Sequence, residues 1–272
     1  RHPGRPGGGG VGVEIGHPPL TAETTDEIEQ FVYQYLSASI RGEDDGGRMR
    51  WYPWHSAEYR FAHIQNVVEL ATAIAEAEGA DSAVVHVAAL FHDIAKLEVE
   101  QDRHAAAGAR VARKFLGTRE GFDPGFVEAV TDRIEQHSYE GPLGAVDPEL
   151  RTLVEADILD KIGANGTALM LLRMGYEART HTEAAEMVDL VIERGEQAAD
   201  RVVSPTAQSL AAERLRRVLS LFPLFLFRLS LSFFFFCFLF FFFIFFCFAL
   251  FFSFFSLFFF FFSFFLFLFF FL

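Results

Sequence analysis

The stretch VVHVAALFHDIAKLE, residues 84–98, places a histidine directly before an aspartate at the end of an apolar run. His92 and Asp93 interrupt a segment whose other residues predict a buried helix. Burying an ionised carboxylate beside an imidazole is costly unless the two groups are paired or bind a metal ion. The pair is therefore either a hydrogen-bonded couple inside the core or part of a metal site.

Two further apolar helical segments each contain one residue that can bind a metal ion. His63 lies in YRFAHIQNVV at the border of an apolar stripe, and Asp157 lies among aliphatic residues in LVEADILDKIGANG. With His92 and Asp93 they supply two imidazoles and two carboxylates, a set that suits Mn, Fe, Co, Ni, Zn or Mg. We predict that these four side chains bind a divalent metal ion. The alternative for Asp157 is a helix cap or a pair with Lys161.

The order of these residues resembles the H…HD…D signature of the HD-domain superfamily of metal-dependent phosphohydrolases. The ALFHDIAK context and the separation of 29 residues between His63 and His92 match it, and RHAAAGARVARKFL, IEQHSYEG and EADILDKIGANG resemble one branch of small stand-alone HD hydrolases. The likeness covers roughly residues 30–220. It implies an all-α fold, an HD-domain helical bundle in a single globular domain. It also implies metal-dependent hydrolysis of a phosphoester or phosphoanhydride, with a nucleotide or related small phosphate as substrate.

Two more histidines lie between the HD pair and Asp157, where dinuclear members of the superfamily carry additional ligands. His104 and His137 would then bind a second ion or contact phosphate, with Asp93 bridging the two ions. The ordinary alternatives are a surface histidine for His104 and a helix C-terminal histidine for His137. The resemblance leaves open which metal binds and whether one or two ions are present.

Lys96 follows His92 by one helical turn, so it is a candidate contact for a phosphate group. In the implied reaction Lys96 and His104 neutralise the charge that builds up on the phosphate. The alternative is a salt bridge between Lys96 and either Glu98 or Glu100.

Asp160 lies three residues after Asp157, on nearly the same face of its helix, and is the substitute ligand if Asp157 is not one. Asp160 or His137 would orient or deprotonate the attacking water. His55, in WYPWHSAEYR, is a fallback ligand close to His63. The aromatic residues of that segment either stack on a base or cover the core.

Two other classes of protein remain open at this point. Some HD-fold proteins use a di-iron site for oxygenation, and they need the additional histidines. A non-catalytic nucleotide-sensing domain with a structural metal is the second alternative. Metal identity and stoichiometry discriminate the oxygenase from the hydrolase, and turnover of phosphate compounds discriminates the sensor.

Helical periodicity runs through the middle of the chain. An apolar stripe after Ser56 predicts a helix that ends at Gly79, and Asp81 is suited to cap the next helix, SAVVHVAALFHDIAK. Further helices are expected at roughly 102–116, 124–138, 147–162, 165–174, 181–202 and 204–219. No alternating strand pattern of useful length is present, so the periodicity predicts an all-α fold.

Charge and cysteine content restrict the partners and the compartment. The net charge is −13, so binding of nucleic acid through a broad basic face is not expected. Both cysteines lie beyond residue 220 and no secretory signal precedes the helices, so we expect a cytoplasmic protein. The expected partner is a small phosphorylated substrate, and the sequence does not indicate an oligomeric state.

The ends of the chain differ from its middle. We expect residues 1–20 to be a disordered Gly/Pro-rich leader, 21–220 to be the hydrolase domain and 221–272 to be a low-complexity tail. That tail holds 30 of the 36 phenylalanines, and its main residue types can all be encoded by pyrimidine codons. We therefore interpret it as a frameshift or translation artefact. The alternative is a membrane anchor, because a span needs about 20 apolar residues.

Overall fold

The computed structural model describes residues 20–41, 56–178, 180–220, 238–243, 254–255 and 257–262. Within these residues the chain is helical and contains no strand, which confirms the predicted all-α class. The helices are α1 (Ala22–Arg41), α2 (Ala57–Glu78), α3 (Ser82–Phe91), α4 (His104–Leu116), α5 (Pro124–Gln136), α6 (Pro148–Asp160), α7 (Ala164–Glu177), α8 (His181–Arg201) and α9 (205–220), with a 3-10 turn at Leu143–Ala145. Their bounds from α4 to α9 lie within a few residues of the predicted ones.

Side-chain caps set where α2 and α3 begin. The Ser56 hydroxyl accepts a hydrogen bond from the backbone N–H of Tyr59 at 3.1 Å. The Asp81 carboxylate accepts from the backbone N–H groups of the second and third residues of α3. Gly79 ends α2 with a φ of 75°, a left-handed conformation that glycine adopts without strain. The predicted Asp81 cap and the predicted end of α2 are confirmed.

Helix α3 lies in the middle of the core and packs against α1, α2, α4, α5 and α6. Seven of its ten residues are buried, so it behaves as the continuous apolar run that its sequence predicts. The predicted stripe of α2 faces it and is also buried, from Ile64 to Ala75. The site therefore has a rigid apolar helix behind it, which fixes the position at which the chain leaves the core.

The prediction that this helix continues to Lys96 is wrong, because α3 ends at Phe91. The chain then runs through tight turns in which Ile94 N–H donates to Phe91 O at 3.1 Å and Lys96 N–H to Asp93 O at 3.0 Å. The imidazole of His92 hydrogen-bonds the Ala89 carbonyl, which a continuing α-helix would use for its own backbone bond. His92 and Asp93 thus stand at the exit of a buried helix.

The junction between α6 and α7 is held by an arginine of α9. Arg214 Nη1 donates to the carbonyl oxygens of Leu159 at 3.2 Å and Ile162 at 3.3 Å, at the end of α6. Gly163 follows with a φ of 94°, and a Cβ there would lie 3.3 Å from the Arg214 side chain. At Gly166 a Cβ would overlap the Lys161 carbonyl group, so only glycine fits. This junction fixes the last turn of α6, which carries Asp157.

A buried carboxylate ties the start of α9 to α6. Glu155 is 0% exposed, and its Oε1 accepts from the backbone N–H groups of Val203 at 2.7 Å and Ser204 at 2.8 Å. Its Oε2 accepts from the Ser204 hydroxyl at 2.6 Å. Glu78 of α2 adds a fourth contact, because its Oε1 accepts from Thr206 N–H at 2.8 Å. The first turn of α9 is therefore capped by side chains from two other helices.

The chain divides into Arg1–Val218 and Leu219–Leu272. In the second part, 238–243 and 257–262 are helical and their phenylalanine side chains are exposed. Among the described residues, no helix combines the length and the apolar character that a bilayer crossing requires. The predicted leader and most of the predicted tail, with its two interpretations, lie outside the described residues.

We expect Glu155→Ala to lower the free energy of unfolding by about 2–4 kcal/mol, because it leaves the donors of Val203 and of buried Ser204, just before α9, without their acceptor. Chemical denaturation followed by circular dichroism measures this change. Glu213→Ala, which removes a half-exposed carboxylate of the same helix that pairs with Arg217, is the control and should cost less than about 1 kcal/mol. Equal losses in the two variants would show that the Glu155 cap does not stabilise the fold.

Candidate metal centre

Three buried histidines share one local arrangement that fixes the tautomer of the ring. In His92 and His137 the Nδ1 atom lies 2.7 Å from the carbonyl oxygen three residues earlier, and His104 makes the same contact with Gln101 O. Because a carbonyl oxygen can only accept, Nδ1 carries the proton and Nε2 keeps its lone pair. Each ring therefore presents Nε2 as a potential metal ligand.

His63 reaches the same state through a carboxylate. Its Nδ1 lies 2.7 Å from Asp160 Oδ2, and the other oxygen of Asp160 accepts from Asn165 Nδ2 at 3.4 Å. A carboxylate on the far nitrogen of a ligating histidine fixes the orientation of the ring and raises its basicity. The structure therefore places Asp160 behind His63, with both oxygens engaged.

The first group of converging atoms comes from α2, the exit of α3 and α6. His63 Nε2 lies 3.3 Å from His92 Nε2 and 3.3 Å from Asp157 Oδ1. All three ligand atoms lie within 4.8 Å of one another. Three of the four predicted ligands are thus brought together from helices that are far apart in sequence.

The second group comes from the exit of α3, the start of α4 and the end of α5. His104 Nε2 lies 3.0 Å from His137 Nε2, and Asp93 Oδ1 lies 3.3 Å and 3.6 Å from these two nitrogens. All three residues are buried. His104 is not the surface histidine of the alternative interpretation, and His137, although it follows the last residue of α5, points into this group.

Asp93 connects the two groups. Its Oδ1 faces His104 and His137, while its Oδ2 lies 3.6 Å from His63 Nε2 and 3.9 Å from His92 Nε2. One carboxylate oxygen is thus directed at each group. This is the arrangement that a bridging carboxylate needs.

The donor set fits divalent metal ions. Asp93 Oδ1 and Asp157 Oδ1 are buried and have no hydrogen-bond partner among the described residues, and each lies within 3.3 Å of a histidine Nε2. Two ligand atoms 3.3 Å apart suit a shared ion at about 2.1 Å with an angle of roughly 100°. These His/Asp groups are clusters that can hold a metal ion, and their nitrogen and oxygen donors suit borderline or hard cations.

Burial and neighbouring charge set the protonation of the ligands. Burial lowers the pKa of His92 to about 3, so the ring is neutral near neutral pH. Burial opposes ionisation of Asp93, but Arg60 and Lys96 outweigh it and hold the pKa of this carboxyl well below its usual range. For His63 the carboxylates of Asp157 and Asp160 outweigh burial and raise the pKa of the imidazole.

Arg60, Lys96 and Lys161 are cations that adjoin these ligands, and the sequence patterns did not single out Arg60. Arg60 Nη1 lies 2.6 Å from Asp93 Oδ2, and Lys96 Nζ lies 3.5 Å from Oδ1 and 3.0 Å from His104 Nε2. The position of Arg60, three residues before His63 on one helix face, was the available signal.

The predicted alternatives for the lysines have different outcomes. Lys161 Nζ lies 2.6 Å from Asp157 Oδ2, so this pair forms while Asp157 Oδ1 faces His63. The Lys96 ammonium contacts Asp93 and His104 as described, whereas Glu98 accepts a hydrogen bond from Tyr35 at 2.5 Å.

A cavity of about 480 Å³ opens beside the two groups. Its lining includes site residues, among them Arg60, His63, Asp93, Lys96 and Asp160. The rest of the lining comes mainly from the junction between α6 and α7 and from α7, α8 and α9. Its size is in the range of small-molecule sites. The fallback ligand His55 and the aromatic cluster before it lie outside the described residues.

Comparisons with known proteins agree with this architecture. Residues 60–162 match the family model of the HD domain. An HD-superfamily hydrolase from Bacillus thuringiensis shares the fold at 17% identity and a TM-score of 0.54, covering 76% of this chain and 99% of its own. Bacillus subtilis YpgQ, solved in complex with ADP, shares it at 22% identity and a TM-score of 0.51, covering 74% of this chain and 95% of its own.

A curated relative matches a shorter stretch. The tRNA (cytidine(56)-2'-O)-methyltransferase of Thermoplasma volcanium is 37% identical over 86 residues, which is 32% of this chain and 23% of the methyltransferase. The chain thus spans about a quarter of that protein.

Acid should destabilise the folded chain through His92. Its pKa is about 3 in the folded protein, against 6.5 for the free side chain, so the unfolded chain takes up this proton first. The stability that comes from the neutral ring is complete above pH 6.5 and is lost as the pH falls from 6.5 towards 3. Denaturation in EDTA between pH 7 and about 4.5 should therefore show a smaller decline for His92→Gln than for the unchanged protein. Equal declines in the two proteins would show that His92 is not the source of the acid sensitivity.

Proposed function

We propose that this HD-domain protein is a metal-dependent hydrolase of phosphoesters or phosphoanhydrides, acting on a nucleotide or a related small phosphate. The observation that carries the proposal is the convergence of six lone-pair donors in two groups that share Asp93. Such a set suits the dinuclear centres that hydrolyse phosphate compounds.

In this proposal His63, His92 and Asp157 would hold one divalent ion, His104 and His137 would hold a second, and Asp93 would be a ligand common to both. Mn, Fe, Co, Ni, Zn and Mg are the candidate metals, because the set combines imidazole with carboxylate. When bound, the ions lower the pKa of a coordinated water and polarise the phosphoryl group. Every other contribution comes from side chains of the chain.

Three of these side chains have separate tasks. Lys96 lines the cavity, its ammonium adjoins Asp93, and there it offsets negative charge on a phosphate. Asp160 keeps His63 in its ligand tautomer, since its oxygens are engaged by His63 and Asn165. We therefore assign to Asp160 the orientation of His63 rather than the deprotonation of water. His137, with Nε2 in the second group, is likewise assigned to ligation.

The cavity supports a small substrate with more than a phosphate group. Its volume of about 480 Å³ exceeds what phosphate needs, and its lining includes apolar side chains such as Leu169, Met170 and Val191. YpgQ, which shares the fold, has been solved with ADP, and a nucleotide is the first compound to test. Methyl transfer is not proposed, because the matched stretch is 23% of the methyltransferase.

The first test combines elemental analysis with a panel of phosphate compounds. We expect the purified protein to bind up to two divalent ions per chain and to release phosphate or pyrophosphate from members of a nucleotide panel with Mn, Co, Ni or Mg. Two tightly bound Fe ions with oxygen uptake would favour the di-iron oxygenase. Specific nucleotide binding without turnover under any metal would favour the sensor. Either result would overturn the hydrolase.

Substitution of the bridging residue should separate metal binding from folding. We expect Asp93→Ala to lose bound metal and to lower kcat/KM by roughly a hundredfold or more, because both groups lose their shared ligand. Helical content by circular dichroism should largely survive. Asp132→Ala removes an exposed carboxylate of α5 and should change neither the bound metal nor kcat/KM. Full activity of Asp93→Ala in metal-replete buffer would show that the centre is wrongly assigned.

The second group has its own variant. His104→Asn should reduce the metal content by one ion per chain while leaving the first group intact, since His104 belongs to the second group alone. Inductively coupled plasma mass spectrometry of the two proteins measures the difference. An unchanged metal content would show that His104 does not bind an ion.

A further inference from the structure

Asp93 carries a cation of the chain on each of its carboxylate oxygens. Arg60 Nη1 lies 2.6 Å from Oδ2, and Lys96 Nζ lies 3.5 Å from Oδ1. Oδ2 is also the oxygen that faces His63 and His92. A metal ion held by the first group must therefore share Oδ2 with the Arg60 guanidinium or take it over. Arg60 and the metal compete for the same atom.

Among the ligands and the charged side chains that contact them, the charges of the chain already balance. Three carboxylates, those of Asp93, Asp157 and Asp160, stand against three cations, and the imidazoles are neutral in their ligand form. The cations are Arg60, Lys96 and Lys161. One divalent ion adds two positive charges and a second adds two more, and Arg60, Asp93 and Asp160 are buried. Excess charge in a buried site is costly unless counter-charge comes with it. An anion such as a phosphate dianion supplies that charge.

Arg60 has the donors and the position to take such an anion. The residue is 8% exposed and lines the cavity, and its Nε is buried without a hydrogen-bond partner among the described residues. Of the three guanidinium nitrogens of Arg60, Nη1 alone donates a hydrogen bond to Asp93 among the described residues. A guanidinium is a planar fork whose parallel donors match two oxygens of a phosphate. An anionic ligand that reaches the guanidinium would supply an acceptor for a donor that has none among the described residues.

We propose that Arg60 is an anion-binding residue of this site, and that it exchanges Asp93 for a substrate phosphate when Asp93 binds metal. Metal and phosphate then bind with positive cooperativity. The inference rests on the proposed phosphohydrolase function and deepens it, because it assigns a substrate contact to a residue outside the HD signature. Linkage requires that phosphate raise the affinity for metal by the same factor by which metal raises the affinity for phosphate.

The test measures Mn²⁺ binding to the full chain by equilibrium dialysis, with and without inorganic phosphate. For the unchanged protein we expect phosphate to lower the Kd for Mn²⁺ by about tenfold, a coupling of ordinary size. Arg60→Gln should bind Mn²⁺ more tightly than the unchanged protein in the absence of phosphate, because Asp93 is released. The effect of phosphate on the Kd should then shrink to about twofold or less.

Two further variants make the test specific to Arg60. Arg60→Lys keeps the charge but loses the fork, so its coupling should be intermediate; this variant also decides the matter if Arg60→Gln loses helical content. Arg194→Gln removes the same charge from the α8 side of the cavity and should keep the full coupling. No phosphate effect in the unchanged protein, or an equal loss of coupling in Arg194→Gln, would overturn the proposal.

The outcome is distinguishable from a failure of the proposed function, because the dialysis needs no turnover. A protein that hydrolyses phosphate compounds but shows no coupling contradicts the role of Arg60 alone. A protein that shows the coupling but hydrolyses none of the panel retains Arg60 as an anion contact and contradicts the hydrolase.

Discussion

The site depends on how charged groups and lone pairs are compensated inside an apolar helical bundle. Asp93 is 3% exposed, and its two oxygens face four imidazole nitrogens that offer lone pairs. Such an arrangement is unfavourable without positive charge between the acceptors. Arg60 and Lys96 supply part of that charge from the chain, and the ligand geometry leaves a place for divalent ions to supply more. The surrounding helices hold these groups at metal-ligand distances.

The positions of the ligands are fixed by contacts some distance away from them. Helix α3 is buried against five neighbours, so the exit that carries His92 and Asp93 has little freedom. The last turn of α6 is fixed by Arg214 of α9, and α9 is fixed in turn by the buried carboxylate of Glu155. The carbonyl groups behind the rings of three histidines add a second restraint. Ligands held by packed helices are positioned more accurately than ligands on loops.

The proposed chemistry follows from the electrostatic balance of the site. The carboxylates of the site and the cations that contact them offset one another. Bound metal would therefore leave excess positive charge, and an anion in the cavity beside Asp93 and Arg60 would offset it. A hydrolase benefits from this arrangement, because the same positive charge that attracts the substrate stabilises charge that develops in the reaction. Charge compensation thus links the two groups of ligands to the cavity beside them.

The sequence by itself determined the elements and most of the ligands. Helical periodicity, the cap at Asp81, and metal-competent residues in apolar segments are local features, because each is encoded within one or two turns of chain. Tertiary structure decided what depends on distances between helices. It brought His104 and His137 to Asp93, placed Asp160 behind His63, ended α3 at Phe91 and introduced Arg60. Local periodicity fixes the face on which a side chain lies, but helix packing fixes which faces meet.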